Sequence, residues 1–293
     1  MLSLPKRLQE RAHIFHCPEV IDNHTSAKDA IRKFRQSSMR LAIQSVQSGQ
    51  TQAVVSAGNT GALMALSKII LSMIDGIDRP AIAKALPNLS IDNEDKFTIV
   101  LDLGANTQCV PKNLLDFAVL GLALHRCLIQ DQATRSIKLL NIGAEEIKGN
   151  DLVQDTAQLI KRHSNLPYAG FIEADSLFTA DADIIVCDGF SGNIALKTSE
   201  GLANLIIKRL KAAFEGSISS QVGALLLKKA LKEKLGVLNP ARHNGAFILG
   251  LNGIVIKSHG SATQEGFCTA LNFASQQVHH DILKKVQIVM KDL

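Results

Sequence analysis

A short aliphatic run, a turn that combines glycine with Asn, Ser or His, and a helical pattern follow one another repeatedly along this chain. AVVSAG (53–58) precedes a helical pattern from Asn59 to Ile74. FTIVLDLGAN (97–106) precedes one that opens at about Pro111, a residue favoured in the first helical turn. IKLLNIG (137–143) leads to a helix from roughly Gly149 to His163, and a short strand at 168–172 precedes ADIIVCDG (182–189), with a helix from about Gly192. GIVIKSHGSA (253–262) runs into a final helix from about Thr263 to Asp292, and Ser26 is placed to cap a helix reaching about Ser48, with Gly49 as its stop signal. Continuously apolar strands alternating with helices predict a mostly parallel sheet covered on both faces, hence an α/β fold. The segment 77–96, with two prolines and the polar run IDNEDK, reads as a surface excursion.

The loops at the predicted C-terminal strand ends are SAGNTG, DLGAN, NIGAEEIKGN, CDGFSGN and KSHGSA. In open α/β sheets, ligands bind outside those ends, and helix N-termini there offer N–H groups and a positive dipole end. Five such loops, expected at one edge of the sheet, point to an anion site. The turn from Asp188 to Asn193 holds no basic side chain, histidine or cysteine. It reads either as a backbone cradle for an anion or as the seat of a Ser191 nucleophile. G-x-S-x-G is missed by one residue at Gly189-Phe-Ser-Gly192, which disfavours a hydrolase triad. Neither GxGxxG nor GxxxxGK[ST] occurs, and no HExxH, EF-hand loop or metal cluster is found, so no metal is expected. The charged residues left in these loops are Lys148 in EEIKGN, and Lys257 and His259 flanking Ser258. Each read alone is a solvated lysine or a hydrogen-bonded turn histidine. Together, in loops already marked for an anion, they read as ligands.

At 293 residues with 46% hydrophobic and 20% charged side chains, the chain can bury a sizeable core. It has no Trp and one Tyr, against a stacking surface for single-stranded nucleic acid, and its net charge of +5 is too diffuse to argue for DNA binding. The five cysteines are scattered outside any CxxC, the pattern of reduced thiols in a cytosolic protein. MLSLPKRLQER lacks the apolar core of a signal peptide, and no apolar run reaches the ~18 residues of a spanning helix. In SISSQVGALLLKKALKEKLG (217–236), Ala224, Leu227, Leu231 and Leu235 share one helical face, while Lys228, Lys229, Lys232 and Lys234 crowd the remainder. Such a helix suits a membrane surface or a partner helix, or it is an ordinary core-facing helix with a wet side.

Taken together, SSMRLA, SAGNTGALMA, GIDRPA, DLGAN, LLNIGAEEIKGN, VCDGFSGNIALKTSEGLA and LGLNGIVIKSHGSA resemble the acyl-acyl carrier protein:phosphate acyltransferases of bacterial phospholipid synthesis, the PlsX family. The resemblance runs in order from about residue 14 to the C-terminus. It implies a phosphotransacetylase/isopropylmalate-dehydrogenase-like three-layer α/β/α sandwich, a single domain over residues 1–293 with a helical amphipathic excursion at about 203–240, and a homodimer. It further implies a cytoplasmic enzyme attached peripherally to an anionic membrane surface, working without metal or organic cofactor. The implied reaction moves a fatty acyl group from acyl carrier protein to inorganic phosphate, and a glycerol-3-phosphate acyltransferase would use the acyl phosphate. Family members open with a strand and a DxMGGD-like glycine loop that this sequence does not contain. A non-catalytic relative keeping the dimer and membrane surfaces, or a transacylase using a coenzyme A thioester, is the competing reading.

Phosphate is a nucleophile already, so the implied task is to hold it in line with the carbonyl. On this resemblance Lys148 neutralises charge, Asn193 and loop N–H groups donate to the oxyanion or to phosphate, and His259 orients phosphate or protonates the leaving thiolate. Gly58, Asn59, Thr60, Asn106, Gly192 and Lys257 line the phosphate side. Lys208, Arg209 and Lys211 offer a dock for the acidic carrier protein, and Leu226, Leu227, Lys228, Lys229 and Leu231 a membrane contact. The turn at 188–193 then reads as a cradle, since the resemblance does not require a hydroxyl at Ser191.

Overall fold

A computed structural model describes residues 11–88, 97–129, 135–179, 181–234 and 243–292, with the backbone alone at residues 218, 228 and 231–234. Local chemistry starts most helices. Ser26 accepts from the Asp29 amide to cap α1 (Ala27–Arg32), and Ser37 accepts from the Arg40 amide to cap α2 (Ser38–Gln47). That second cap splits the single helix expected over 26–48, because the Ser37 hydroxyl also bonds the Phe34 carbonyl and competes with the helical ladder. Asn59 caps α3 (Thr60–Leu71), and Pro111 opens α4 (Pro111–Leu128). Asn150 caps α5 (Asp151–Lys161), and Asp188 caps α6 (Gly189–Glu215), which is followed by α7 (Ile218–Lys234). Thr263 caps α8 (Gln264–His279). Asp281, at φ 51° in the left-handed region, then breaks the expected terminal helix and starts α9 (Ile282–Asp292).

Among the described residues, eight strands form one sheet in the order β1-β8-β7-β2-β3-β6-β4-β5. They are β1 (Ala53–Ser56), β2 (Ala81–Pro87), β3 (Phe97–Leu101), β4 (Ile137–Leu140), β5 (Tyr168–Ile172), β6 (Ile184–Val186), β7 (Ala246–Leu249) and β8 (Ile254–Lys257). The β1–β8, β3–β6, β6–β4 and β4–β5 pairs are parallel, and the three pairs β8–β7, β7–β2 and β2–β3 are antiparallel. Two parallel blocks of opposite direction are thus joined through β7 and β2. The stretch read as an excursion contains β2, the strand that joins the blocks. Its first half, Ala81–Ala83, pairs with β7, and its second half, Lys84–Pro87, pairs with β3.

The register decides where the site lies. Lys257, the last residue of β8, pairs with Ala246, and Lys84 pairs with Val100, one residue before the end of β3. The C-terminal ends of the two blocks therefore come level at the Ala83–Lys84 step of β2. The glycine loops do not share one edge of a unidirectional sheet. They approach one another from opposite directions above the middle strand.

Alternation along the strands fills two layers. Ile99, Leu101, Ile184, Val186, Ile254 and Ile256 face a core completed by α4, α5, α8 and α9, including Phe117, Leu120, Ile160 and Ile282. Val100, Ile185, Ile248 and Val255 face the opposite core, completed by Ala30, Ile43, Leu63 and Leu66 of α1–α3. Helices on both faces make a three-layer α/β/α sandwich. Only the start of α6 packs on the core: of its 27 residues Gly189 and Gly192 alone are buried, with Ala195 and Leu196 partly buried against the core.

Candidate functional site

A cleft of about 660 Å³ opens where the two blocks meet. Its lining comes from β2 (Ile82, Lys84), the loop after β3 (Leu103, Gly104), one face of α6 (Asn193, Leu196, Lys197, Glu200, Asn204), Thr60, and the segments 244–246 and 257–263. Asn193, Lys197 and Glu200 fall at i, i+4 and i+7, which brings them to one side of the helix. Ile82, Lys84 and Leu86 share a strand face, and Ile82 and Leu86 are buried in the apolar core below. Lys84 therefore carries an ammonium on an otherwise apolar strip.

Three lysines line this cleft, and among the described residues of its lining Glu200 is the one carboxylate. Lys197 Nζ bonds Glu200 Oε2 at 2.9 Å and lies 3.2 Å from His259 Nε2. Burial lowers the pKa of Lys84, Glu200 opposes the shift, and Lys197 adds to it. Burial and then Lys197 bring Lys257 down to about 8. His259 is lowered by burial first, then by Lys197, with Glu200 opposing and Lys257 and Lys84 adding. Like charges drawn together in a half-dry cleft disfavour their own ionisation, and an anion seated among them reverses that cost.

Asn244 holds the rim. Its Oδ1 accepts from the His259 amide at 2.9 Å, and its Nδ2 donates to Ser258 Oγ and the Gly266 carbonyl, each at 2.8 Å. On the other side Asp102, fully buried, accepts from the amides of Ile82 (3.0 Å), Ala105 (2.9 Å) and Asn106 (2.7 Å) and from Asn106 Nδ2 (2.9 Å). These four bonds oppose the upward pKa shift that burial imposes on it. They also fix the 102–106 loop against β2, setting Gly104 (φ +118°) beside Asn193.

The cleft brings together Thr60, Asn193, Lys257 and His259 from the residues singled out by sequence. Lys148 is exposed on the loop after β4, outside this lining, and its carbonyl accepts from Asn141 Nδ2 at 3.0 Å. Asn59 spends its amide on the carbonyls of Asp22, Asn23 and Thr25, and its Oδ1 caps α3. A Cβ on Gly58 would meet Met39 Cε at 2.9 Å, and Asn106 Nδ2 donates to the Pro80 carbonyl and Asp102. At the start of α6 the chain supplies its own anion: Asp188 Oδ1 accepts from the amides of Phe190 (2.9 Å) and Ser191 (3.0 Å), and its Oδ2 accepts from Ser191 Oγ (2.8 Å). The Gly189 and Gly192 amides bond the carbonyls of Asn106 and Asp188. The glycines of this turn serve close packing, since a Cβ on Gly189 would meet the Asn106 amide nitrogen at 2.7 Å and one on Gly192 the Asp102 carbonyl at 2.1 Å.

Lys208, Arg209 and Lys211 are exposed on α6, and Leu226, Leu227 and Lys229 on α7; the side chains of Lys228 and Leu231 lie outside those described. Sequence reasoning passed over Lys84, Lys197, Glu200 and Asn244. A signal existed for two of them: a lysine at an inward position of the apolar run AIAKALP, and a lysine one turn after Asn193.

The family described as "Fatty acid synthesis protein" matches residues 1–285. A protein of Shewanella loihica named phosphate acyltransferase is 42% identical over 284 residues, covering 97% of this chain and 82% of that protein. One of the same name from Legionella pneumophila (strain Corby) is 44% identical over 279 residues, covering 95% and 80% respectively. Among solved structures, a phosphotransacetylase from Streptococcus pyogenes superposes with a TM-score of 0.54 at 16% identity, covering 86% of this chain and 70% of its own. The EutD phosphotransacetylase from Staphylococcus aureus gives 0.52 at 15%, covering 81% and 67%. Both share the α/β fold.

Proposed function

Since the chain belongs to the phosphate acyltransferase family of fatty acid synthesis proteins, we propose that it transfers a fatty acyl group from acyl carrier protein to inorganic phosphate. The observation that carries this is the cleft, where among the described residues three lysines and a histidine meet one carboxylate above an apolar floor. A small, doubly charged oxyanion suits that charge balance, and Ile82, Leu103, Leu196 and Ala246 offer apolar surface beside it. Hydrogen phosphate attacks the thioester carbonyl, its oxygen–carbon bond forms, and the carbon–sulfur bond breaks. The proton that phosphate brings passes to the departing sulfur, so the products are acyl phosphate and the carrier thiol. Asn193, at the lip shared by the cleft and the 102–106 loop, donates to the developing oxyanion. Lys148, on the loop beyond the neighbouring strand, steers the acidic carrier's thioester across that lip.

The test uses purified protein, a long-chain acyl-carrier substrate and phosphate, with acyl phosphate trapped by hydroxylamine. Because hydroxylamine also attacks the thioester slowly, the expected result is phosphate- and enzyme-dependent hydroxamate above the level given by the acyl-carrier substrate alone. Turnover of acyl-coenzyme A alone would move the donor to that thioester, and no product from either donor would leave a non-catalytic relative.

Phosphate binding has a proton signature. With its pKa at about 8, Lys257 is partly neutral in the empty cleft at mildly alkaline pH. A bound dianion raises that pKa, so binding takes up protons near pH 8 to 9 and ceases to do so near neutrality, where Lys257 is already charged. Calorimetry in buffers of different ionisation enthalpy reads the uptake. Proton release at pH ~8.5, or no pH dependence, contradicts this placement of phosphate beside Lys257.

The α6–α7 arm supplies the remaining surfaces. Leu225, Leu226 and Leu227 of α7 are 71%, 80% and 51% exposed, and no helix among the described residues is long and apolar enough to cross a membrane. We place this helix at an anionic membrane surface, with dimerisation along α6 presenting two copies and with Lys208, Arg209 and Lys211 on α6 docking the carrier protein. Each basic residue near such a surface adds about 1 kcal/mol, screened by salt. Co-sedimentation is expected to show salt-sensitive binding to anionic vesicles, weakened about tenfold by Leu226→Glu. Equal binding to neutral vesicles, or an unaffected variant, returns the helix to packing against protein.

A further inference from the structure

Given the phosphate acyl transfer proposed above, we infer that His259 holds phosphate as a neutral hydrogen-bond donor through Nε2, and that Lys197 donates to the same oxygen. The main-chain amide of Ser261 fixes the ring's tautomer. That amide lies 3.2 Å from His259 Nδ1, and Ser261 Oγ lies 2.8 Å from the same atom. A backbone N–H can only donate, so Nδ1 is an acceptor and carries no proton. The single proton of the neutral ring then sits on Nε2.

Nε2 faces Lys197 Nζ at 3.2 Å. The Lys197 ammonium already donates to Glu200 at 2.9 Å and has no lone pair to offer. A neutral ring accepts at one nitrogen only; the Ser261 amide is fixed in the main chain, whereas the half-exposed Lys197 side chain can turn, so Nε2 takes the proton and the two donors are left needing an acceptor beside them. An anionic oxygen placed there accepts from both. A doubly protonated ring would set a second N–H against the Ser261 amide, within a cleft where Lys84, Lys197 and Lys257 outnumber Glu200. Burial and those lysines lower the ring's pKa in the same sense. Asn244 anchors the main chain behind the ring through the His259 amide, so the donor direction is set before phosphate arrives. His259 is thus a phosphate ligand and carries no proton between substrates, consistent with a nucleophile that brings its own.

The experiment measures binding of inorganic phosphate alone to the wild-type chain and to His259→Gln and His259→Ala, with thermal denaturation confirming that each variant folds. His259→Gln keeps an amide N–H near the Nε2 position and is expected to stay within about threefold of wild type. His259→Ala is expected to lose at least about tenfold, the loss of one hydrogen bond to a charged partner. Imidazole 15N spectra of the wild-type protein at neutral pH are expected to show His259 neutral and protonated on Nε2, with and without phosphate. Should phosphate bind while the two variants fall equally, or should the ring be doubly protonated or protonated on Nδ1, the donor assignment is overturned and the acyl transfer reading stands. Should wild-type protein bind no phosphate, both fall.

Discussion

Lys197→Met is expected to lower kcat/KM for phosphate by about 10²- to 10³-fold, the loss typical of removing one preorganised donor to developing charge. The side chain is 51% exposed and makes its polar contacts at the cleft, so thermal stability is expected to change little. The effect exceeds that of deleting a donor, because Glu200, with 22% of its side chain exposed, loses its cation. Its free carboxylate then faces the phosphate and repels it. Adding Glu200→Gln to Lys197→Met removes that repulsion and is expected to recover part of the loss. Steady-state kinetics with varied phosphate and saturating acyl donor separate the two terms. A double variant slower than Lys197→Met would assign Glu200 a direct role in turnover.

Gly192→Ala is expected to destabilise the fold by about 3 kcal/mol or more, as overpacking against atoms that cannot retreat. The added methyl would sit 2.1 Å from the Asp102 carbonyl oxygen and 2.6 Å from Cys187 Sγ. Neither can yield. The Asp102 carboxylate is tied to three amides and to Asn106 Nδ2, and Cys187 is buried beneath the helix. Any accommodation lifts the start of α6 and carries Asn193 and Lys197 away from the cleft, so activity falls with stability. Gly201, on the same helix with nothing within 4 Å of an added Cβ, is the control. Gly201→Ala is expected to be neutral or stabilising by up to about 1 kcal/mol. Urea denaturation of both variants checks the contrast, and a Gly192→Ala protein as stable as wild type refutes the packing argument.

Much of the fold was legible because its signals are local. Caps at Ser26, Asn59, Asn150 and Thr263 and the proline at 111 mark helix starts where the structure has them. Aliphatic runs mark the strands between. Strand direction was not legible, because nothing local distinguishes a parallel neighbour from an antiparallel one. With direction unspecified, the aliphatic runs place all five loops along one edge, and β2 is hidden between two prolines and a polar run. Lys84 was passed over for the same reason: its place above the core follows from the pairing of β2 with β3 and β7, which brings both blocks to that residue. Lys197 needed only the helical repeat from Asn193. The turn at 188–193 has a packing role that no local signal announces. Its glycines look like a ligand cradle, and the structure uses them to press α6 against the 102–106 loop, with Asp188 occupying the helix terminus.

The position of the anion tests this account most directly. Crystals grown without phosphate and soaked in arsenate, a heavier analogue, would give an anomalous peak at the bound oxyanion. The peak is expected within hydrogen-bond distance of Lys197 and His259, with Lys84 and Lys257 closing around it. A peak at the Lys148 loop or the start of α6, with the lysine cleft empty, would contradict the assignment.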